Sequence, residues 1–261
     1  MIEINPEVFS IGVVHIRWYG VMAACGLMAA FLVMQKRAEK YSFTKEHVSD
    51  MLFWGMLSAI VGARALYVIR FWEEGFAGRS FLSVFKVFEG GLVFFGGFCG
   101  AALCLLVMCF WRKWAVWKVA DLVSPGLALG HAFGRIGCLL NGCCYGFSYE
   151  GFGAFRYMDV EHGTFPLQLF SALGNVVICM VLLFCEKKGW LKQRLFLAYM
   201  VMYNIGRFCI EFGRGDYPPE QRVCGLTPAQ ITCLWLLPAV CIVYVIVYFA
   251  TKRFKKASAS K

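Results

Sequence analysis

The stretch LQLFSALGNVVICMVLLFCEKKGWLKQRLFLAYMVMYNIGRFCIEF, residues 167–212, decides the fold. Its two apolar runs, near 167–186 and 194–213, each supply the roughly 20 residues that a helix needs to cross the hydrocarbon core of a bilayer. The turn between them carries Lys187, Lys188, Lys192 and Arg194. Inside the second run Arg207 and Glu211 stand four apart, which places both on one helical face. This reads as a pair of membrane spans joined by a basic turn, with a charged pair at bilayer depth.

The same pattern extends in both directions. Further spans are expected near 13–34, 49–70, 91–111, 121–141 and 230–250. Composition agrees: 16% of the residues are charged, against roughly 25% in soluble domains, and mean hydropathy is +0.63. Such a chain would not stay in water as a monomer. Basic residues gather in alternate connections: Lys36, Arg37, Lys40 and Lys45; Arg112, Lys113 and Lys118; the 187–194 turn; and Lys252, Arg253, Lys255 and Lys256. The intervening connections are acidic or mixed, with Glu73, Glu74, Arg79, Lys86 and Glu89, then Glu150, Arg156, Asp159 and Glu161, then Arg214, Asp216, Glu220 and Arg222. Positive loops face the cytoplasm, so the expected topology has about seven spans, an outside N-terminus and a cytoplasmic C-terminus. The net charge of +10 is thereby accounted for, and no nucleic acid partner is expected.

The first apolar run starts near Val13, has no basic region before it and is long enough to span, so it reads as a span and not as a cleaved signal peptide. One all-α polytopic membrane domain, residues 1–261, is expected. The fourth span is interrupted by Pro125, and its glycines (Gly126, Gly130, Gly134, Gly137) would let neighbouring helices approach closely. Most of the 13 cysteines lie in apolar runs, where a free thiol acts as a small hydrophobe. Cys143 and Cys144 stand apart, adjacent to each other beside Gly142. Tight packing is the preferred reading for them, a transient nucleophile the alternative.

A charge at bilayer depth costs at least a few kcal/mol and normally faces a partner or a watery cavity. Four places break the apolar rule: Arg17 with Trp18 and Tyr19, Arg64, His131 with Arg135, and Arg207 with Glu211. The bland readings are a register-fixing ion pair for Arg207 and Glu211 and a satisfied core histidine for His131. Arg135 has no acidic residue within four positions on its own helix. It is therefore available to an anion, and a guanidinium matches phosphate in bidentate fashion.

The segments IRWYGVM (16–22), GARALY (62–67), FEGGLVFFGG (88–97), GRIGCLLNGCCYG (134–146), PLQL (166–169), YNIGRFCIEFGRGD (203–216) and GLTPAQ (225–230) follow in this order. Together they resemble the prolipoprotein diacylglyceryl transferase family along nearly the full length. The resemblance implies a seven-helix enzyme of the bacterial inner cell membrane with its cavity toward the outer face. It implies transfer of the diacylglyceryl group of phosphatidylglycerol to the lipobox cysteine thiol in a prolipoprotein signal peptide, with release of glycerol 1-phosphate. No metal or organic cofactor is implied. Carried over by position, Arg135 and Arg207 would clamp the phosphate, Asn141 would orient the glycerol and Glu211 would hold an arginine. Tyr19 and Tyr203 would donate hydrogen bonds to the head group, Arg64 and Gly146, at further motif positions, would also bind substrate, and Asp121 matches an acidic position before the signature helix.

The departures are specific. Phe95 stands where a histidine is familiar, Cys138 and Cys143 where an asparagine and a glutamate are, and Phe165, Phe170 and Ser171 replace polar positions near Gln168. They bear on the acceptor more than on the donor, because both arginines of the clamp remain. His131, one turn before Arg135, is a substitute base; the alternative is a thiol activated by the arginines alone. Two further readings are a related enzyme with another acceptor and a non-catalytic lipid-binding membrane protein.

Overall fold

In a computed structural model the described residues are 2–11, 14–77, 81–86, 90–157, 160, 162–217, 220 and 222–259. Val13, Arg79, Phe88, Glu89, Asp159 and Glu161, which entered the sequence reading, lie outside them. The elements run β1 (Ile2–Ile4), β2 (Glu7–Ile11), β3 (Val14–Arg17), α1 (Trp18–Arg37), α2 (Lys45–Arg70), α3 (Trp72–Gly75), α4 (Phe94–Trp111), α5 (Val116–Leu140), β4 (Phe155–Tyr157), α6 (Leu167–Lys187), α7 (Leu195–Glu211) and α8 (Pro228–Ala259). The long helices fall on the expected apolar runs. Five of them, α1, α2, α4, α6 and the Pro228–Phe249 part of α8, are long and apolar enough to cross a membrane. The remaining two, α5 and α7, carry His131, Arg135, Arg207 and Glu211.

Two expectations change. The first helix starts at Trp18 and not near residue 13, because 14–17 pairs antiparallel with 7–11, with Glu7 opposite Arg17. The β-branched alternation of Val14 and Ile16 suits that pairing. The other strand pair is parallel, β1 with β4. The expected interruption at Pro125 does not occur: α5 runs unbroken through it. A proline cannot donate to the carbonyl four residues back, here that of Asp121. The Ser124 hydroxyl donates to that oxygen instead, at 3.0 Å.

The chain forms two compact units, one from Gln35 to Val119 and one from the residues up to Met34 together with those from Ala120 on. In the first, α2 and α4 pack through glycine. A Cβ on Gly62 or Gly96 would collide with the carbonyl of the other, and one on Gly100 with the carbonyl of Ser58. Small residues permit this backbone contact, which is how helices adhere without a hydrophobic driving force in lipid. Arg64 is buried here and fully engaged. Its Nε donates to Val84 O at 2.7 Å, Nη1 to Gly90 O at 2.8 Å and Gly91 O at 3.3 Å, and Nη2 to Ser83 O at 2.9 Å. Its guanidinium also lies 5.4 Å from the ring centres of Tyr67 and Phe76.

In the second unit α5 packs on α1 through two of the glycines read from sequence, while a Cβ on Gly130 or Gly134 would meet open space. A Cβ on Gly126 would meet Ala30 at 3.2 Å, and one on Gly137 would meet Tyr19 at 3.1 Å. Ala128, Cys179, Leu182, Leu195 and Tyr199 form a buried core that ties α5, α6 and α7 together. Polar residues at helix ends fix the registers. Asp121, buried within α5, accepts from Phe196 N at 3.0 Å and so places a carboxylate on the first turn of α7, where the helix dipole favours it. The motif GLTPAQ acquires a structural reason. Thr227 N donates to Gln230 Oε1 at 3.0 Å and Gln230 N to Thr227 Oγ1 at 3.3 Å, a capping box that starts α8 with Pro228 in its first turn.

Candidate active site

Polar side chains recur every fourth residue along α7: Tyr199, Tyr203, Arg207 and Glu211. On a helix these form one stripe. His131 and Arg135 on α5 meet it. The Tyr199 hydroxyl lies 2.8 Å from His131 Nδ1, and the Tyr203 ring centre lies 4.8 Å from that of His131. Tyr203 is also the hydrogen-bonding neighbour of Arg135. Arg135 and Arg207 are close enough to repel one another. Nothing in an apolar bundle holds two cations together unless a counter-charge or a ligand requires it.

Glu211, 1% exposed, supplies part of that counter-charge. Its Oε2 forms an ion pair with Arg207 Nη1 at 2.6 Å and lies 3.7 Å from Arg214 Nη1, while neither carboxylate oxygen accepts a well-aligned hydrogen bond from the described residues. Arg214 reaches on to Asp216, with Nε on Oδ1 and Nη2 on Oδ2 at 3.0 Å. Burial works against the charge of Arg214, but the Asp216 bonds and the Glu211 carboxylate hold its pKa above the usual arginine range. Three guanidiniums thus face two carboxylates. Among the described residues Arg135 has no carboxylate partner, and a guanidinium so placed keeps donors that suit an anion.

The loop after α5 turns back against the segment after α7. Gly146 N donates to Phe165 O at 3.0 Å, Gly215 N to Tyr145 O at 3.2 Å and Phe147 N to Gly213 O at 3.1 Å. A Cβ on Gly146 would sit 2.9 Å from Phe165 O, which explains the glycine there. Gly142 and Cys144 both take left-handed backbone conformations, with φ of 75° and 63°. Asp216 Oδ2 accepts from Cys144 N at 3.0 Å, and Gln168 Nε2 donates to Cys143 O at 2.8 Å and to Tyr157 Oη at 3.1 Å. Burial pushes the Tyr157 phenol up to about 12, against the Gln168 bond.

The result of this turn is a cluster of thiols. The sulfur atoms of Cys138, Cys143 and Cys144 all lie within 4.8 Å of one another, and each residue is partly buried. Hydrogen bonds from the Cys138 and Cys143 thiols hold the pKa of Cys144 below the usual thiol range, with help from Arg214 and Arg135 and against burial. Tyr19, at the start of α1, is an electrostatic neighbour of Arg135 and of the three cysteines.

Of the residues expected at the site, His131, Arg135, Tyr203, Arg207 and Glu211 come together, with Tyr19 beside them and Asn141 and Gly146 on the adjoining loop. Arg64 lies in the other unit and spends its donors on backbone carbonyls. Phe95, also in that unit, is 64% exposed with its ring against Phe94, as suits a residue facing lipid. Four residues were not expected at the site: Tyr199, Arg214, Asp216 and Gln168. The fourfold stripe from 199 to 211 pointed to Tyr199, and the spacing of three from Glu211 to Arg214 pointed to the extended ion pair.

Comparison with known proteins gives a consistent result. The model of the family described as prolipoprotein diacylglyceryl transferase matches residues 6–248. A phosphatidylglycerol–prolipoprotein diacylglyceryl transferase of Clostridium tetani is 31% identical over 97% of this chain and 99% of its own. A second transferase of that name from Clostridium perfringens is 34% identical over 84% of this chain and 86% of its own. One from Shouchella clausii is 34% identical, covering 83% and 81%.

Proposed function

The chain belongs to the prolipoprotein diacylglyceryl transferase family, and from that premise we propose that Arg135 and Arg207 clamp the phosphate of phosphatidylglycerol while its diacylglyceryl group passes to a lipobox cysteine. The protein is a multi-pass membrane enzyme, a phosphatidylglycerol-dependent diacylglyceryl transferase of lipoprotein maturation. The observation that carries the residue assignment is the pair of neighbouring guanidiniums, of which Arg135 has no carboxylate partner among the described residues.

The chemistry follows from that pair. Carbon–oxygen cleavage leaves glycerol 1-phosphate, so negative charge grows on the phosphate as the bond breaks. Cations already fixed in a dry site bind that growing charge more tightly than the starting diester, which lowers the barrier. Glu211 fixes Arg207, and Arg214 with Asp216 braces Glu211 from below. Tyr203 and Tyr19 donate hydrogen bonds to the head group, and Asn141 orients its glycerol. Arg64, expected to bind substrate, is instead assigned a structural role here, supported by its bonds to the carbonyls of Ser83, Val84, Gly90 and Gly91.

On the acceptor side, His131 takes the thiol proton at Nε2, in the tautomer whose Nδ1–H donates to Tyr199. The helices α5 and α7 complete seven spans, with the N-terminus outside, the C-terminus in the cytoplasm and the site toward the outer face of the bacterial inner cell membrane. Purified protein incubated with phosphatidylglycerol and a lipobox peptide tests the reading. Glycerol phosphate should appear together with a diacylglyceryl mass increase on the peptide cysteine. Absence of both products refutes it.

A further inference from the structure

We propose that Cys138, Cys143 and Cys144 form a three-thiolate site for a zinc ion whose fourth coordination position receives the acceptor thiol. The acceptor's identity rests on the transferase reading above; the metal site does not.

Three sulfurs within 4.8 Å of one another are near the arrangement that a tetrahedral ion requires, since zinc–sulfur bonds of about 2.3 Å separate the sulfurs by about 3.8 Å. A disulfide would need only two of them. The remaining difference is within the reach of thiol rotation about a fixed backbone. That backbone is fixed from outside the cluster: Asp216 holds Cys144 N, and Gln168, 1% exposed, holds the Cys143 carbonyl. Polar partners that orient the ligand-bearing loop are a regular feature of zinc centres.

Charge and ligand count also agree. Three thiolates on Zn2+ leave one negative charge, and Arg135 and Arg214 both act on Cys144. Among the described residues no fourth His, Cys, Asp or Glu atom joins the group. Three protein ligands with an open fourth position is the pattern of a reactive zinc site, whereas structural sites are closed by four.

The open position suits this reaction. A thiol bound to zinc is deprotonated outright, so the acceptor would arrive as a thiolate at neutral pH. Its proton leaves to the base at His131. The sulfur lone pair then forms the sulfur–carbon bond to the glyceryl carbon. The carbon–oxygen bond to phosphate breaks, and its electron pair departs on glycerol 1-phosphate beside Arg135. Zinc keeps its oxidation state, and no oxidant or reductant enters. Arg135 lies one turn before Cys138 on α5 and is an electrostatic neighbour of Cys138 and Cys144, so the anion receptor and the thiolate site adjoin.

The test uses the full chain in detergent with Cd2+, a spectroscopically visible substitute for zinc. The expected result is one Cd2+ per chain with an ultraviolet thiolate-to-metal band. A lipobox peptide should raise that band by about one third, as three sulfur ligands become four, and the peptide with Ser in place of its cysteine should leave it unchanged. Cys143→Ser should weaken Cd2+ binding at least tenfold, while Cys224→Ser, at an exposed position, should not. No stoichiometric band in the wild type, or a band indifferent to the cysteine peptide, overturns the proposal; neither result depends on a variant folding. Undiminished transfer by metal-stripped protein also overturns the zinc site but leaves the transferase reading intact. A peptide-responsive band without glycerol phosphate release supports the site and sinks the transferase reading.

Discussion

Arg64, buried, and Arg135, half-buried, are both arginines in apolar helices, yet their surroundings differ. Arg64 gives Nε, Nη1 and Nη2 to the carbonyls of Ser83, Val84, Gly90 and Gly91 and is flanked by two aromatic rings. Ser83 and Val84 lie in the short 3-10 helix Phe81–Phe85, and Gly90 and Gly91 shortly precede α4, so the arginine supplies donors to backbone carbonyls at membrane depth. Arg135 has a tyrosine, thiols and a second arginine for neighbours. An embedded charge is therefore not by itself a binding site. What separates the two is how much hydrogen-bonding capacity is left over once the protein has taken its share.

Substitutions can break or sharpen this contrast. The largest expected effect is at Arg135: Arg135→Ala should lower glycerol phosphate release about a thousandfold, the scale of losing a fixed donor to transition-state charge, with thermal stability retained. Glu211→Ala comes next, with a loss of about a hundredfold, since Arg207 and Arg214 lose their shared carboxylate and the clamp loses its geometry. A drop in unfolding temperature should accompany it, read in the same preparation. His131→Gln should cost at least tenfold in the chemical step, and an unchanged single-turnover rate would remove His131 as base. Smallest in rate is Arg64→Ala, expected within about threefold of the wild type when assayed well below its midpoint. Its unfolding temperature should instead fall by roughly 5 °C, because several buried carbonyls lose their donor.

The contrast also marks what could be read from sequence. Hydropathy located every long helix, because span length and apolar content are local properties. The helix through Pro125 was read as interrupted because its repair, the Ser124 hydroxyl on the Asp121 carbonyl, depends on rotamer and not on composition. The N-terminal strands were missed because three to five residues carry too little periodicity, and their pairing partners include Phe155–Tyr157, far along the chain. At the site, the spacing of four in His131–Arg135 and Arg207–Glu211 was legible. The same spacing carried back to Tyr199 was present but not followed. The thiol cluster depends on left-handed backbone at Gly142 and Cys144, which adjacent cysteines do not announce, and Arg64's carbonyl partners lie about 20 residues or more away in sequence.

The central claim is that Arg135 and Arg207 bind the donor phosphate while Arg64 does not. The direct measurement is transfer from phosphatidylglycerol to a lipobox peptide by Arg135→Ala and Arg64→Ala in matched vesicles, with each rate normalised to folded protein. The account predicts a ratio of several hundredfold or more in favour of Arg64→Ala. Equal losses in the two variants would contradict it.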